Sequence, residues 1–234
     1  MQYFFSDHIS NDIVVLSKEE SRHCIGVLRY KTGDCIHVVD GKGKHVKCKI
    51  SSTEKNIVKA DIVDEFSNKN TKKHYIHIII APTKSNQRIE WFIEKAIEIG
   101  VDEISFIKCS NSERSRINID RINKIAITAM KQSLKSTLPK INDLNRFNNT
   151  IQRVSETCKY IGYLGDSNPD FLGRLAPEKS KYCLLIGPEG DFTEDEFEYA
   201  VNQGFKSVSL GDSRLRTETA GIAGCLILNG VNYD

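Results

Sequence analysis

Apolar residues along this chain recur in two different rhythms. Up to about residue 68 they come in short runs, IVVL (13–16), CIHVVD (35–40), HVKCKI (45–50) and IVKADIV (57–63), with Gly33-Asp34 and Gly41-Lys42-Gly43 between them. Short β-prone runs bounded by glycine turns predict strands. One helix interrupts them: Ser17 and Glu20 have the spacing of a capping box, and His23, Cys24, Val27 and Leu28 would form one helical face. The opening stretch therefore reads as a small β-barrel-like module, and the polar SNKNTKK (67–73) as a linker.

From residue 75 strands and helices alternate. YIHIIIA (75–81) is continuously apolar, as expected of a strand covered on both faces. Ile89, Phe92, Ile93, Ala96 and Ile99 form a helix face closed by Gly100. EISFIK (103–108), CKYIGYL (158–164), KYCLLIG (181–187) and residues 207–210 read as further strands. Ile122, Ile125, Ala126, Ala129 and Met130 mark another helix. Thr193 and Glu196 are spaced to cap a third, which Gly204 ends, and the chain finishes in a fourth. This alternation predicts an α/β domain with a parallel, doubly wound sheet, unknotted by the ordinary rules of chain connection.

Composition narrows the class. An apolar share of 39% supports a packed core, and no apolar run reaches the length of a membrane span. The start, MQYFFSDHIS, has neither the basic nor the apolar region of a secretory signal, so none is expected. Seven scattered cysteines without a CxxC suggest reduced thiols and a cytoplasmic protein. His74 and His77 resemble a metal pair, but in a strand they face opposite sides, so no metal is expected. Net charge is only +2, yet residues 108–159 hold eleven basic against four acidic side chains. Such a segment suits either a polyanionic partner or a solvated helix face.

Candidate chemistry sits where strands end. YLGD (163–166), LLIGPEGDF (184–192) and LGDSRLRTETA (210–220) each place glycine directly after an apolar run. In parallel α/β sheets ligands bind at the carboxyl ends of strands, and glycine lets a ligand approach the main chain. Three such exits suggest one site built largely from backbone groups, suited to an adenine edge and an uncharged ribose, unless they are plain turns. Phosphate-loop, dinucleotide and GxSxG signatures do not occur in the sequence.

The paired segments LLIGPEGDFTEDEFEYA and VSLGDSRLRTETAGIAG resemble the SPOUT superfamily of S-adenosylmethionine-dependent RNA methyltransferases. Within it they are similar to the ribosomal RNA small-subunit methyltransferase E family, which methylates N3 of a uridine in the decoding region of 16S rRNA. KSNQRIEWFIEKAIEIGVDEI (84–104), SERSRI (112–117), KQSLKSTLPKI (131–141) and RHCIGVLRYKTGD (22–34) resemble family segments in the family's order. The resemblance implies a PUA-like RNA-binding β-barrel over residues 1–70 and a SPOUT α/β domain over 71–234 whose end is threaded into a deep trefoil knot. It also implies a homodimer acting on 16S rRNA in the small subunit.

Carried onto this sequence, the cofactor contacts are Leu164, Gly165, Ile186, Gly187, Glu189, Gly190, Leu210, Gly211, Leu215, Arg216 and Thr217. RNA contacts are Arg22, Arg29, Arg114, Arg116, Lys131 and Lys135. Arg216 is the candidate catalytic residue, either stabilising charge on the uracil or pinning its loop through Glu189 or Glu218. Those two glutamates could take a proton, anchor a loop amide or favour a helix N-terminus. Four departures stand out: Tyr3 replaces a family arginine, Asp191 a glycine and Lys131 a frequent glutamate, and one arginine moves from position 213 to 214. Two other readings remain: a SPOUT enzyme for another RNA position such as a ribose 2′-oxygen, and a non-catalytic ribosome-assembly factor.

Overall fold

The computed structural model describes residues 1–10, 12–66, 72–166 and 168–233. The proposed linker therefore lies mostly outside the described residues. The chain forms two compact units. One joins residues 1–71 with residues 127–138, and the other holds 72–126 and 139–234.

The first unit is one five-stranded sheet, β1 (Tyr3–Phe5), β2 (Ile13–Val15), β3 (Cys35–Val39), β4 (His45–Ser52) and β5 (Lys59–Phe66), in the order β1-β3-β4-β5-β2. Its core gathers alternate residues of these strands, among them Phe4, Val14, Ile36, Val38, Val46 and Ile50. Ser6 Oγ donates to Val15 O at 3.1 Å and so ties the two ends of the sheet together. Helix α1 (Lys18–Arg22) starts as expected, with Ser17 accepting from Glu20 N. A π-helical turn at His23–Val27 then replaces regular helix. The extra residue per turn moves Val27 off the expected face, and it is 64% exposed while Cys24 is buried. Glu20 does not complete the capping box; it accepts from Phe5 N and pairs with Lys131.

The second unit is a wholly parallel seven-stranded sheet. Its strands are β6 (Tyr75–Ile80), β7 (Glu103–Lys108), β8 (Lys140–Arg146), β9 (Cys158–Gly162), β10 (Asp170–Phe171), β11 (Lys181–Ile186) and β12 (Lys206–Ser209). Their order is β10-β12-β9-β11-β6-β7-β8, so β11 returns to lie between β6 and β9. The helices are α2 (Asn86–Ile99), α3 (Ile119–Gln132), whose residues from Ile127 on belong to the first unit, α4 (Phe147–Ile151), α5 (Leu172–Leu175), α6 (Glu194–Asn202) and α7 (Thr217–Gly230). Ile79, Ile107, Leu185 and Ile161 pack with Phe147 and Ile151 of α4 and Ala200 of α6 on one face. On the other face α7 packs against α2, β6 and β11. Small residues allow this approach: a Cβ at Gly221 would lie 2.6 Å from the Phe92 ring, and one at Gly224 would collide with Leu184.

The long strands lie within three residues of their predicted positions. β1, β8, β10 and the short α4 and α5 carry no comparable periodic signal. β8, KINDLNR, is a sheet-edge strand without a fully buried residue. At α6 both halves of the Thr193–Glu196 capping box are formed.

Candidate functional site

Strands β12, β9 and β11 are neighbours and parallel, so their carboxyl ends meet at one edge of the sheet. The three glycine-bearing exits accordingly line a single cleft of about 700 Å³. That volume is in the range of small-molecule and cofactor sites.

Each exit is shaped by local chemistry. After β11 the backbone turns at Pro188, whose carbonyl accepts from Asp191 N at 2.9 Å. Asp191 stands at φ 60°, a conformation that Asp tolerates better than most residues. Its carboxylate then accepts from Phe192 N at 2.8 Å and from Leu164 N at 2.9 Å. The aspartate thus fastens the β9 exit to the β11 exit, a tie that glycine would not make. After β12, Gly211 adopts φ 132°, and its amide donates to Ser209 Oγ at 3.1 Å. Among the described residues, the amides from Asp212 to Arg216 donate to no other group. Thr217 Oγ1 then donates to Gly187 O at 3.0 Å, locking the start of α7 to the β11 exit. The cleft lining therefore combines residues whose amides have no partner among the described residues, Asp212 to Arg216, with apolar Leu210, Ile186 and Val208. It can hold a ligand with an apolar body and several hydrogen-bond acceptors.

Nine of the eleven predicted cofactor residues line this cleft; Gly165 and Gly190 do not. Gly165 lies against the Tyr163 ring and Gly190 against Asn111, which donates to its carbonyl. Arg216 lines the cleft, is exposed, and makes no ion pair among the described residues. Glu189 Oε1 accepts from Lys84 N at 3.0 Å and so anchors a loop amide. Glu218 is paired with Arg88, at 3.7 Å. Arg88, Tyr163 and Arg214 also line the cleft. Nothing local to α2 marks Arg88 as a cleft residue, because its place there depends on the packing of α2 against α7.

The predicted RNA residues fall into two groups. Arg22, Arg29 and Arg116 are exposed. Arg114 is half-buried and donates to the carbonyls of Thr83 and Lys84, which holds that loop in place. Lys131 is paired with Glu20 in the first unit, and Lys135 is half-buried there. The pairing with Glu20 gives position 131 a reason to carry a lysine. Tyr3 is buried and reaches His45 Nδ1 with its hydroxyl at 3.4 Å, so it does not replace the missing arginine as a free donor.

Comparison with known proteins places this architecture. The sequence profile of the family described as "RNA methyltransferase domain" matches residues 70–229, and that described as "RNA methyltransferase PUA domain" matches residues 16–63. A crystal structure of a probable rRNA-methyltransferase from Porphyromonas gingivalis is 36% identical, covers 99% of this chain and 98% of its own, and superposes with a TM-score of 0.92. The ribosomal RNA small subunit methyltransferase E of Neisseria gonorrhoeae, solved bound to S-adenosyl methionine, is 28% identical over 99% of this chain and 98% of its own, with a TM-score of 0.87. The protein of the same name from Bacillus subtilis is 28% identical over 94% of this chain and 89% of its own length.

Proposed function

Because the chain belongs to the ribosomal RNA small-subunit methyltransferase E family of RNA methyltransferases, we propose that it methylates N3 of a uridine in the decoding region of 16S rRNA, on the small ribosomal subunit. Its α/β domain is of SPOUT type, with a PUA domain before it, and its cofactor is S-adenosylmethionine. The observation that carries the reading is the cleft, with open main-chain donors from Asp212 to Arg216 between apolar side chains.

The residues present fit that cofactor. Its adenine edge, ribose hydroxyls and carboxylate need backbone partners, and the three exits offer them. Leu164, Ile186, Gly187, Leu210, Gly211, Leu215 and Thr217 would hold it, while Gly165 and Gly190 shape the turns that carry these contacts. When bound, the cofactor supplies an electrophilic methyl carbon on a sulfonium. The chain's own contribution is to align the acceptor and exclude water, which accounts for much of such a rate. Loss of the N3 proton leaves negative charge on the uracil oxygens. The guanidinium of Arg216, which has no ion-pair partner among the described residues, stands at the cleft to stabilise it, or to hold an adjacent phosphate.

In this reading the first unit grips RNA through Arg22 and Arg29, and Arg116, Lys131 and Lys135 add contacts to phosphate. The chain past β12 is threaded as a trefoil knot. Support comes from β11 lying between β6 and β9 and from the Thr217–Gly187 bond behind it. A homodimer is supported by apolar side chains left exposed on the second unit, Leu226 at 56% and Trp91 at 45%. No helix among the described residues is long and apolar enough to cross a membrane, and a ribosomal substrate places the enzyme in the cytoplasm. The decisive experiment incubates the protein with labelled S-adenosylmethionine and 30S subunits from cells lacking the modification, then maps the methylated nucleotide. Label at N3 of a decoding-region uridine is the expected result; label elsewhere or none overturns the assignment.

A further inference from the structure

Arg88 and Glu218 break two local rules at once. Arg88 sits in the first turn of α2, which has no acidic residue there, so its charge opposes the helix dipole. Glu218 has a side chain only 6% exposed, yet its Oε2 is buried with no hydrogen-bond partner among the described residues. A buried carboxylate oxygen left open is costly, and local conflicts of this kind gather at functional sites. The two residues meet across α2 and α7, with Arg88 Nε 3.7 Å from Glu218 Oε1. Arg88 is 40% exposed at its side chain and lines the same cleft as Arg216.

We propose that Arg88 is a substrate-contacting residue that binds an anionic oxygen of the acceptor nucleotide, and that Glu218 is the positioning residue that aims it. A guanidinium presents five donors in a planar fork, so one edge can rest on a carboxylate while the other faces a ligand. Glu218 is fixed at the base of α7 beside Thr217, which is tied to Gly187. When the acceptor draws Arg88 inward, the open Oε2 receives the second donor of the fork. The anionic oxygen belongs either to a phosphate next to the target or to the deprotonated base. This inference rests on the methyltransferase reading above.

The test measures cofactor binding by calorimetry and methylation of unmodified 30S subunits by wild type, Arg88→Ala, Arg88→Lys and Glu218→Gln. Arg88→Ala should melt earlier, because it leaves Glu218 buried without its partner, but in the folded protein should keep cofactor affinity within about 3-fold while kcat/KM falls at least 10-fold. Arg88→Lys, which keeps the charge but lacks the fork, should recover only part of that loss. A loss in KM with a weaker salt dependence assigns the phosphate; a loss in kcat with a shifted pH profile assigns the base. Glu218→Gln should lower activity in the same parameter, and combined with Arg88→Ala should add nothing further. If Glu218→Gln does not fold, the two Arg88 variants decide alone. Wild-type kcat and KM in Arg88→Ala overturn the inference and leave the methyltransferase reading intact. A wild-type protein that binds cofactor but labels no subunit overturns both.

Discussion

The two ends of the second unit's sheet carry polar clusters of opposite kind. At the amino ends of the strands, His77 Nδ1 lies 2.6 Å from Glu156 Oε1 and its Nε2 2.7 Å from Ser105 Oγ. Glu103 accepts from Lys140, Asn142 and Tyr75, at 2.8, 2.6 and 2.6 Å. Asn142 also donates to Ser105 Oγ at 2.8 Å. Every member has a partner within the cluster. At the carboxyl ends, Arg216 and the amides from Asp212 to Arg216 have none among the described residues. A buried polar network that is fully satisfied stabilises and specifies a structure. Donors left open around a cleft are available to a ligand. His77, Glu156 and Cys183 bring ligand-type atoms within 4.8 Å of one another, but His77 and Glu156 are already joined, and we read them as structural.

The largest expected effect lies at the closed end. Glu156→Ala or His77→Ala removes one side of a buried pair and should cost about 3–5 kcal/mol. Calorimetry should show a melting temperature lower by roughly 10 °C, with cofactor affinity retained wherever the protein is folded. Lost affinity in the folded variant would erase the distinction between the two ends. Next, Arg216→Ala should leave stability within about 0.5 kcal/mol and lower turnover by about 10²–10³-fold. A protein that melts early instead would show that Arg216 holds the fold.

The third prediction concerns acid. Burial would raise the Glu103 carboxyl, but hydrogen bonds from Lys140 and Tyr75, the charge of His77 and a bond from Asn142 outweigh it and bring the group to about 2. Burial also works to raise Glu156, and its bond to His77 lowers it overall. A carboxyl depressed in the folded state contributes stability in full above the ordinary carboxylate range. That stability drains as pH falls through the range toward 2. Urea midpoints followed from neutral pH downward should fall steeply below about pH 4.5. Glu103→Gln should flatten that slope, and Arg216→Ala should leave it unchanged. The smallest effect is expected at Asp191→Gly, which keeps the permissive backbone but removes the carboxylate bond to Leu164 that joins the two exits. Cofactor affinity should weaken by about 1–2 kcal/mol, and an unchanged affinity would show that the two exits hold their places without the tie.

Much of the fold was legible because its signals are local. The long strands, the capping box at Thr193 and the three glycine exits each declare themselves within a few residues. Less of the site was legible. Asp191 read only as a departure from the family's glycine, yet its carboxylate closes a bond to Leu164, 27 residues away in sequence. Arg114 looked like a free base and instead holds the loop of Thr83 and Lys84. The π-helical turn after α1 shifted a face that regular periodicity placed differently.

By itself the sequence determined which of the longer segments become strands and helices, where the chain bends at the three glycine exits, and, through its motifs, the family. Periodicity, capping and glycine placement act over one or two turns, and the chain carries them wherever it goes. Only the tertiary structure decided which charges remain free. Glu218 meets Arg88 across 130 residues, and His77 meets Glu156 across 79. Such pairings follow from strand order and helix packing. The difference between a satisfied network and an open site is a property of that packing, since a donor counts as open only when its whole surroundings are known.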